Sequence, residues 1–148
     1  MKLKIAWVGK TKEPAIQSLT DEYLKRLRRY TQVEGVTLKD ETALTGLGGR
    51  VGRGQTPQTL VLLDSRGMQF SSEDLAKFLN DYQDRNPLPL VFAIGPANGF
   101  SEEARKSATS LLSLGDMTLA HELARVVLLE QVYRAFTIIQ GHPYHLGH

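Results

Sequence analysis

Hydrophobic and polar positions along the chain switch repeatedly between strand-like alternation and helical spacing. Leu3-Lys4-Ile5-Ala6-Trp7-Val8 alternates and stops at Gly9, which predicts a first strand. Lys10 to Glu13 reads as a loop, and Pro14 suits the first turn of a helix. Ile16, Leu19, Tyr23, Leu24, Leu27 and Tyr30 then recur at helical spacing, with Asp21–Lys25 and Glu22–Arg26 as supporting i,i+4 pairs. Val33 to Leu38 predicts a second strand, and the apolar run Thr59 to Asp64 a buried one that turns at Ser65-Arg66-Gly67. Ser71, three residues before Asp74, opens a helix whose inner face is Leu75, Phe78, Leu79 and Tyr82 and which Asn86-Pro87 ends. Leu88 to Ile94 predicts another buried strand. Ser101 caps a helix, with Glu102 and Glu103 in its first turn, that is expected to close at Leu111 and Leu112. Asp116 to Leu119 is expected to form a short last strand. The final helix, Ala120 to Gln140, is apolar almost all round, and Gly141 and Pro143 stop it.

Strands alternating with helices predict an α/β fold, a parallel sheet flanked by helices, and residues 1–148 are expected to form a single domain. In such sheets ligands bind beyond the carboxyl ends of the strands. Three loops fall there: the one after Leu63-Asp64, Gly95 to Gly99, and Ser113 to Leu119. They carry few charges, which suits a flat heterocycle held by backbone groups better than a phosphate.

Composition narrows this little. The chain has no cysteine, which excludes disulfides and thiolate metal sites and fits a reducing compartment. The first residues show no signal-peptide pattern and no apolar run reaches membrane-spanning length, so a cytoplasmic protein without a membrane partner is expected. Charge is uneven. Residues 1–53 hold eleven Lys and Arg against six Asp and Glu, and residues 54–148 hold seven against ten. A basic half can face a polyanion such as RNA, although solvated helix faces account for many of these side chains. Thr45 to Gly54, with its five glycines and two arginines, matches no phosphate-binding loop and reads as a flexible basic segment.

The chemistry-bearing residues concentrate near the C-terminus. His121, Arg125, Glu130 and Arg134 lie on the last helix, and His142-Pro143-Tyr144-His145 follow its stop. Glu130 with Arg134 is also an ordinary i,i+4 pair. His142, His145 and His148 recur every three residues, but without acid or thiolate ligands nearby they argue against a metal.

Three stretches carry a family resemblance: Ser113-Leu114-x-x-Met117-Thr118-Leu119-x-His121-x-Leu123-x-Arg125, Leu128-x-Glu130-Gln131-x-Tyr133-Arg134-Ala135, and His142-Pro143-Tyr144-His145. In order and at this spacing they resemble the RlmH family, the SPOUT-class methyltransferases of bacterial large-subunit (23S) ribosomal RNA. The resemblance implies a C-terminal trefoil knot and S-adenosylmethionine as cofactor, held through Leu63, Gly95, Leu114, Gly115, Asp116, Met117, Thr118 and Leu119. It implies N3-methylation of a pseudouridine in the ribosome, without a metal, by a homodimer in which the tail of one protomer completes the site of the other. Candidate catalytic residues are then His121, Arg125, Glu130, Tyr144 and His145, with Tyr144 and His145 stacking on or orienting the base. Two other classes compete: an RNA- or ribosome-binding SPOUT-like protein without turnover, and a flavodoxin-like nucleotide binder. The latter is disfavoured because no phosphate-cradling loop follows the first strand.

Overall fold

The computed structural model describes residues 1–46 and 57–147. Most of the basic glycine segment anticipated over Thr45 to Gly54, including Arg50 and Arg53, lies outside them, as does His148. The elements run β1 (Lys2–Val8), α1 (Pro14–Leu27), β2 (Gln32–Leu38), a short 3-10 helix (Glu41–Gly46), β3 (Thr59–Gln69), α2 (Ser72–Arg85), β4 (Leu90–Ile94), α3 (Glu102–Ser107), β5 (Ser110–Ser113) and α4 (His121–Ile139). The strands form one parallel sheet in the order β2-β1-β4-β3-β5.

Crossover handedness explains where the helices go. Connections β1→β2 and β3→β4 step along the sheet in one direction and β4→β5 steps back, so a common right-handed crossover puts α1 and α2 on one face and α3 on the other. The core divides accordingly. Leu3, Ile5, Trp7 and Phe92 pack with Leu24, Leu27, Leu79, Leu128, Val132 and Phe136, whereas Ala6, Val8, Leu60, Leu62 and Val91 pack with Leu44, Phe100 and Ala104. Helix α4 lies against the sheet with α1 and α2 at its sides, which is why its apolar residues extend round so much of its circumference.

The local signals for α2 hold: Ser71 Oγ accepts from Asp74 N at 3.0 Å and the Asp74 carboxylate accepts from Ser71 N, a complete capping box. Three sequence expectations are corrected. The turn at Ser65-Arg66-Gly67 is instead part of β3, which continues to Gln69 beyond an irregularity and pairs again with β5. Leu111 and Leu112 do not close α3. That helix ends at Ser107, Ala108 turns extended, and Leu111 and Leu112 form β5, where pairing with β3 buries Leu112. Two adjacent leucines fit either element, and the open edge of β3 decided between them. Asp116 to Leu119 forms no strand either. Gly115 at φ +137° turns the chain off the sheet and Met117 is 86% exposed.

Candidate cofactor cleft and C-terminal tail

Beyond the carboxyl ends of β4 and β5, and beside the middle of β3, the chain encloses a cleft of about 340 Å³, within the range usual for small-molecule sites. Every residue expected to touch the cofactor lines it: Leu63 from within β3, Gly95 after β4, and the run Leu114 to Leu119 after β5. His121, the first residue of α4, also lines it. The loops are internally tied. Gly99 N donates to Pro96 O at 2.8 Å with Gly99 at φ +81°, and Ser113 Oγ accepts from Gly115 N at 3.2 Å. A Cβ on Gly95 would lie 3.1 Å from the Phe100 ring, so the glycine lets the β4 loop pack against its own aromatic.

The charges at the cleft are engaged with each other. Arg105 Nη1 donates to Phe100 O at 2.6 Å and faces Asp64 at 3.5 Å, and its Nη2 donates to Glu102 at 2.8 Å. Asp116 accepts from Gln69 Nε2 at 2.8 Å. The remaining lining is mostly apolar or backbone, which fits a cofactor such as S-adenosylmethionine, with its flat adenine and compact sulfonium. Arg105 and Asp64 were not legible as site residues beforehand. Their one signal was the i,i+3 spacing of Glu102 and Arg105 on a helix that follows a glycine loop.

The five candidate catalytic residues separate into three places. His121 is at the cleft. Arg125, one turn along α4, is 1% exposed and turns inward, where its guanidinium lies 4.1 Å from the Trp7 ring centroid and Nη1 donates to Thr11 Oγ1 at 2.7 Å. Burial lowers its pKa, opposed by the charge of Glu122. It does not line the cleft and does not pair with Glu130.

Glu130, Tyr144 and His145 do meet, at the other end of α4. Glu130 Oε1 accepts from Arg134 Nη2 at 2.6 Å, Arg134 Nε at 2.9 Å and the Tyr144 hydroxyl at 3.1 Å. Gln131 Nε2 donates to Glu130 Oε2 at 3.0 Å. The Tyr144 ring meets Tyr133 edge-on at 4.9 Å, under the Arg134 guanidinium. Arg134 Nη1 lies 3.0 Å from His145 Nδ1, and His145 Nε2 lies 2.9 Å from Glu73 on α2. A guanidinium can only donate, so Nδ1 accepts and the proton sits on Nε2, facing the carboxylate. Burial, then the negative charge of Glu130, push the Tyr144 phenol up to about 12. The tail is thus folded onto its own chain, and none of its described residues lines the cofactor cleft.

Among the described residues no group of three or more His, Cys, Asp or Glu is placed to hold a metal, and no helix is long and apolar enough to cross a membrane.

Comparison with known proteins agrees with this arrangement. The family described as "Predicted SPOUT methyltransferase" matches residues 1–145. A ribosomal RNA large subunit methyltransferase H of Koribacter versatilis is 58% identical over 148 residues, covering all of both chains. One of Geotalea uraniireducens is 43% identical over 152 aligned positions, covering 98% of this chain and 99% of its own. A solved structure of a probable methylase family protein from Haemophilus influenzae Rd KW20 superposes with a TM-score of 0.60 at 9% identity, over 96% of this chain and 69% of that one, a likeness of fold. With the family match spanning the sheet, the cleft and the tail alike, the chain belongs to the SPOUT methyltransferases, in the ribosomal RNA large subunit methyltransferase H family.

Proposed function

We propose that this protein transfers a methyl group from S-adenosylmethionine to N3 of a pseudouridine in 23S ribosomal RNA. The observation that carries the reading is the convergence of Leu63 from β3, Gly95 from the loop after β4 and Leu114 to Leu119 from the loop after β5 on one cleft of about 340 Å³. Bound there, S-adenosylmethionine would supply an electrophilic methyl on its sulfonium. The chain's own task is to align that methyl with N3 and to help the imide proton leave as the N–C bond forms. His121 stands at the cleft and is the residue we assign to the reacting end. Tyr144, held protonated, is suited to donate a hydrogen bond or stack on a base and not to remove a proton. Arg125 acts through the loop it holds, since its guanidinium is enclosed.

Three further elements belong to the same reading. Residues 1–148 act as one domain. The C-terminal part threads as a trefoil knot, a reading that rests on the family resemblance. The protein works in the cytoplasm as a C2 homodimer, supported by the apolar side chains left exposed beside the cleft, Met117 at 86% and Leu123 at 45%.

Calorimetric titration with S-adenosylmethionine tests the site. The unaltered protein should bind without added metal, and Gly95→Ala, whose Cβ would press on the Phe100 ring at 3.1 Å, should lose about tenfold in affinity while still melting cooperatively. Undiminished affinity in that variant removes this cleft from consideration. Transfer of labelled methyl to ribosomes, with the product nucleoside mapped by mass spectrometry, then tests the reaction.

A further inference from the structure

Strands β1 and β4 are neighbours, with Trp7 opposite Ile94, and their outgoing connections run in opposite directions along the sheet. A crevice opens at such a point, so the loop leaving β1, Gly9 to Glu13, emerges beside the Gly95 loop of the cofactor cleft. This loop is fastened to the start of α4. The Glu122 carboxylate accepts from Lys12 N at 3.2 Å and from Glu13 N at 3.3 Å, and the enclosed Arg125 donates to Thr11. Desolvation pushes the Glu122 carboxyl up, but these backbone donors, with the charges of Arg125 and His121, outweigh it and hold it below its usual range. Glu122 is therefore spent on the backbone. The Lys10 and Lys12 side chains are exposed, and neither has an ion-pair or hydrogen-bond partner among the described residues. The loop is thus tied at its backbone to Glu122, the residue after His121 of the cleft, while its ammonium groups are exposed.

We infer that Lys10 and Lys12 form a phosphate clamp that positions the ribosomal RNA backbone beside the cofactor cleft. The inference rests on the proposed methyl transfer to RNA and adds the residues that seat the substrate. Glu122 and Arg125 are positioning residues for the clamp, which accounts for a buried arginine and a buried carboxylate at the base of an otherwise plain loop. Nothing in the clamp reads sequence. It supplies register, as phosphate contacts do, and leaves recognition of the base to the cleft.

The test uses the full chain carrying Lys10→Gln and Lys12→Gln together, and a second variant with arginine at both positions. Binding to ribosomes is measured by cosedimentation over a salt series, alongside methyl transfer and calorimetry with S-adenosylmethionine. Each phosphate contact contributes roughly 0.7–0.9 to the slope of log K against log salt, so the double Gln variant should lose about 1.5. Its KM for ribosomes should rise with kcat unchanged, its cofactor affinity should match that of the unaltered protein, and arginine should restore both slope and KM. An unaltered slope and KM in the double Gln variant overturn the clamp. If the unaltered protein binds ribosomes but transfers no methyl, the enzymatic reading fails while the salt slope still decides the clamp.

Discussion

Arg125 stacks its guanidinium 4.1 Å from the centroid of the Trp7 ring, joining the start of α4 to the end of β1. The contact needs space on the neighbouring strand as well. A Cβ on Gly35 of β2 would come within 2.6 Å of the far edge of the same ring. The arrangement turns a charged residue into a core residue, with its charge balanced by Glu122 and one donor spent on Thr11. It also places the β1 loop.

Arg125→Lys tests this role. Lysine keeps the charge but loses the planar stack and the reach to Thr11, so unfolding in urea should show a loss of about 1–3 kcal/mol. Binding of S-adenosylmethionine should stay within about twofold, because the side chain does not line the cleft. A large loss of cofactor affinity at unchanged stability would return Arg125 to the site itself.

Gly67 lies where β3 comes very close to the backbone of β5. A methyl group there would meet the backbone carbonyl and amide of Leu111 and Leu112 at about 2.5 Å, and neither can move without breaking the β3–β5 pairing. Gly67→Ala should therefore cost about 3 kcal/mol or fail to fold, whereas Gly99→Asn, at a positive φ with open space around it, should cost about 1 kcal/mol or less. Denaturant midpoints of the two variants, read side by side, check the contrast.

Tyr144 makes a prediction with a sign. Its folded pKa of about 12 lies above its ordinary value of 10, so the phenol's contribution to stability is fully present below about pH 10 and is lost as pH rises through about 12. The stability difference between the unaltered protein and Tyr144→Phe should then shrink across that window. A difference that holds constant through it would mean the phenol is not enclosed beside Glu130. The pH profile of methyl transfer should likewise carry no limb from Tyr144 below about pH 10.

The tail also bears on assembly. It is latched to its own chain through Glu130 and Glu73, yet none of its described residues lines the cleft, which the proposed dimer would explain. Truncation before His142 should spare cofactor binding and remove methyl transfer. Mixing that variant with a Gly95 variant creates, in each heterodimer, one site with both functional halves if the tail acts on the partner. About half the dimers are mixed, so roughly a quarter of full activity should return. No recovery, with subunit exchange confirmed by mass spectrometry, would mean that each site is built within one chain.

The elements with strong local chemistry were legible from the residues. The Ser71–Asp74 capping box, the stop at Gly141 and the alternation of Leu3 to Val8 depend only on neighbours in sequence, and they lie where the spacing puts them. Two of the three loops of the cleft, Gly95 to Gly99 and Ser113 to Leu119, were legible as well, since the carboxyl ends of parallel strands follow once the order of strands and helices is known, whereas the segment after Leu63-Asp64 lines the cleft as part of β3. What failed were segments whose state depends on a distant partner. Leu111-Leu112 is a strand because β3 offers an unpaired edge, and Asp116 to Leu119 is a loop because Gly115 carries the chain away from any edge. The candidate catalytic residues divide for the same reason. Helical periodicity shows that His121 and Arg125 share a side of α4, but only the packing of Trp7 beneath that side sends one to the cleft and the other into the core. Side-chain spacing is a local property, whereas burial is decided by what the rest of the chain brings to the other side.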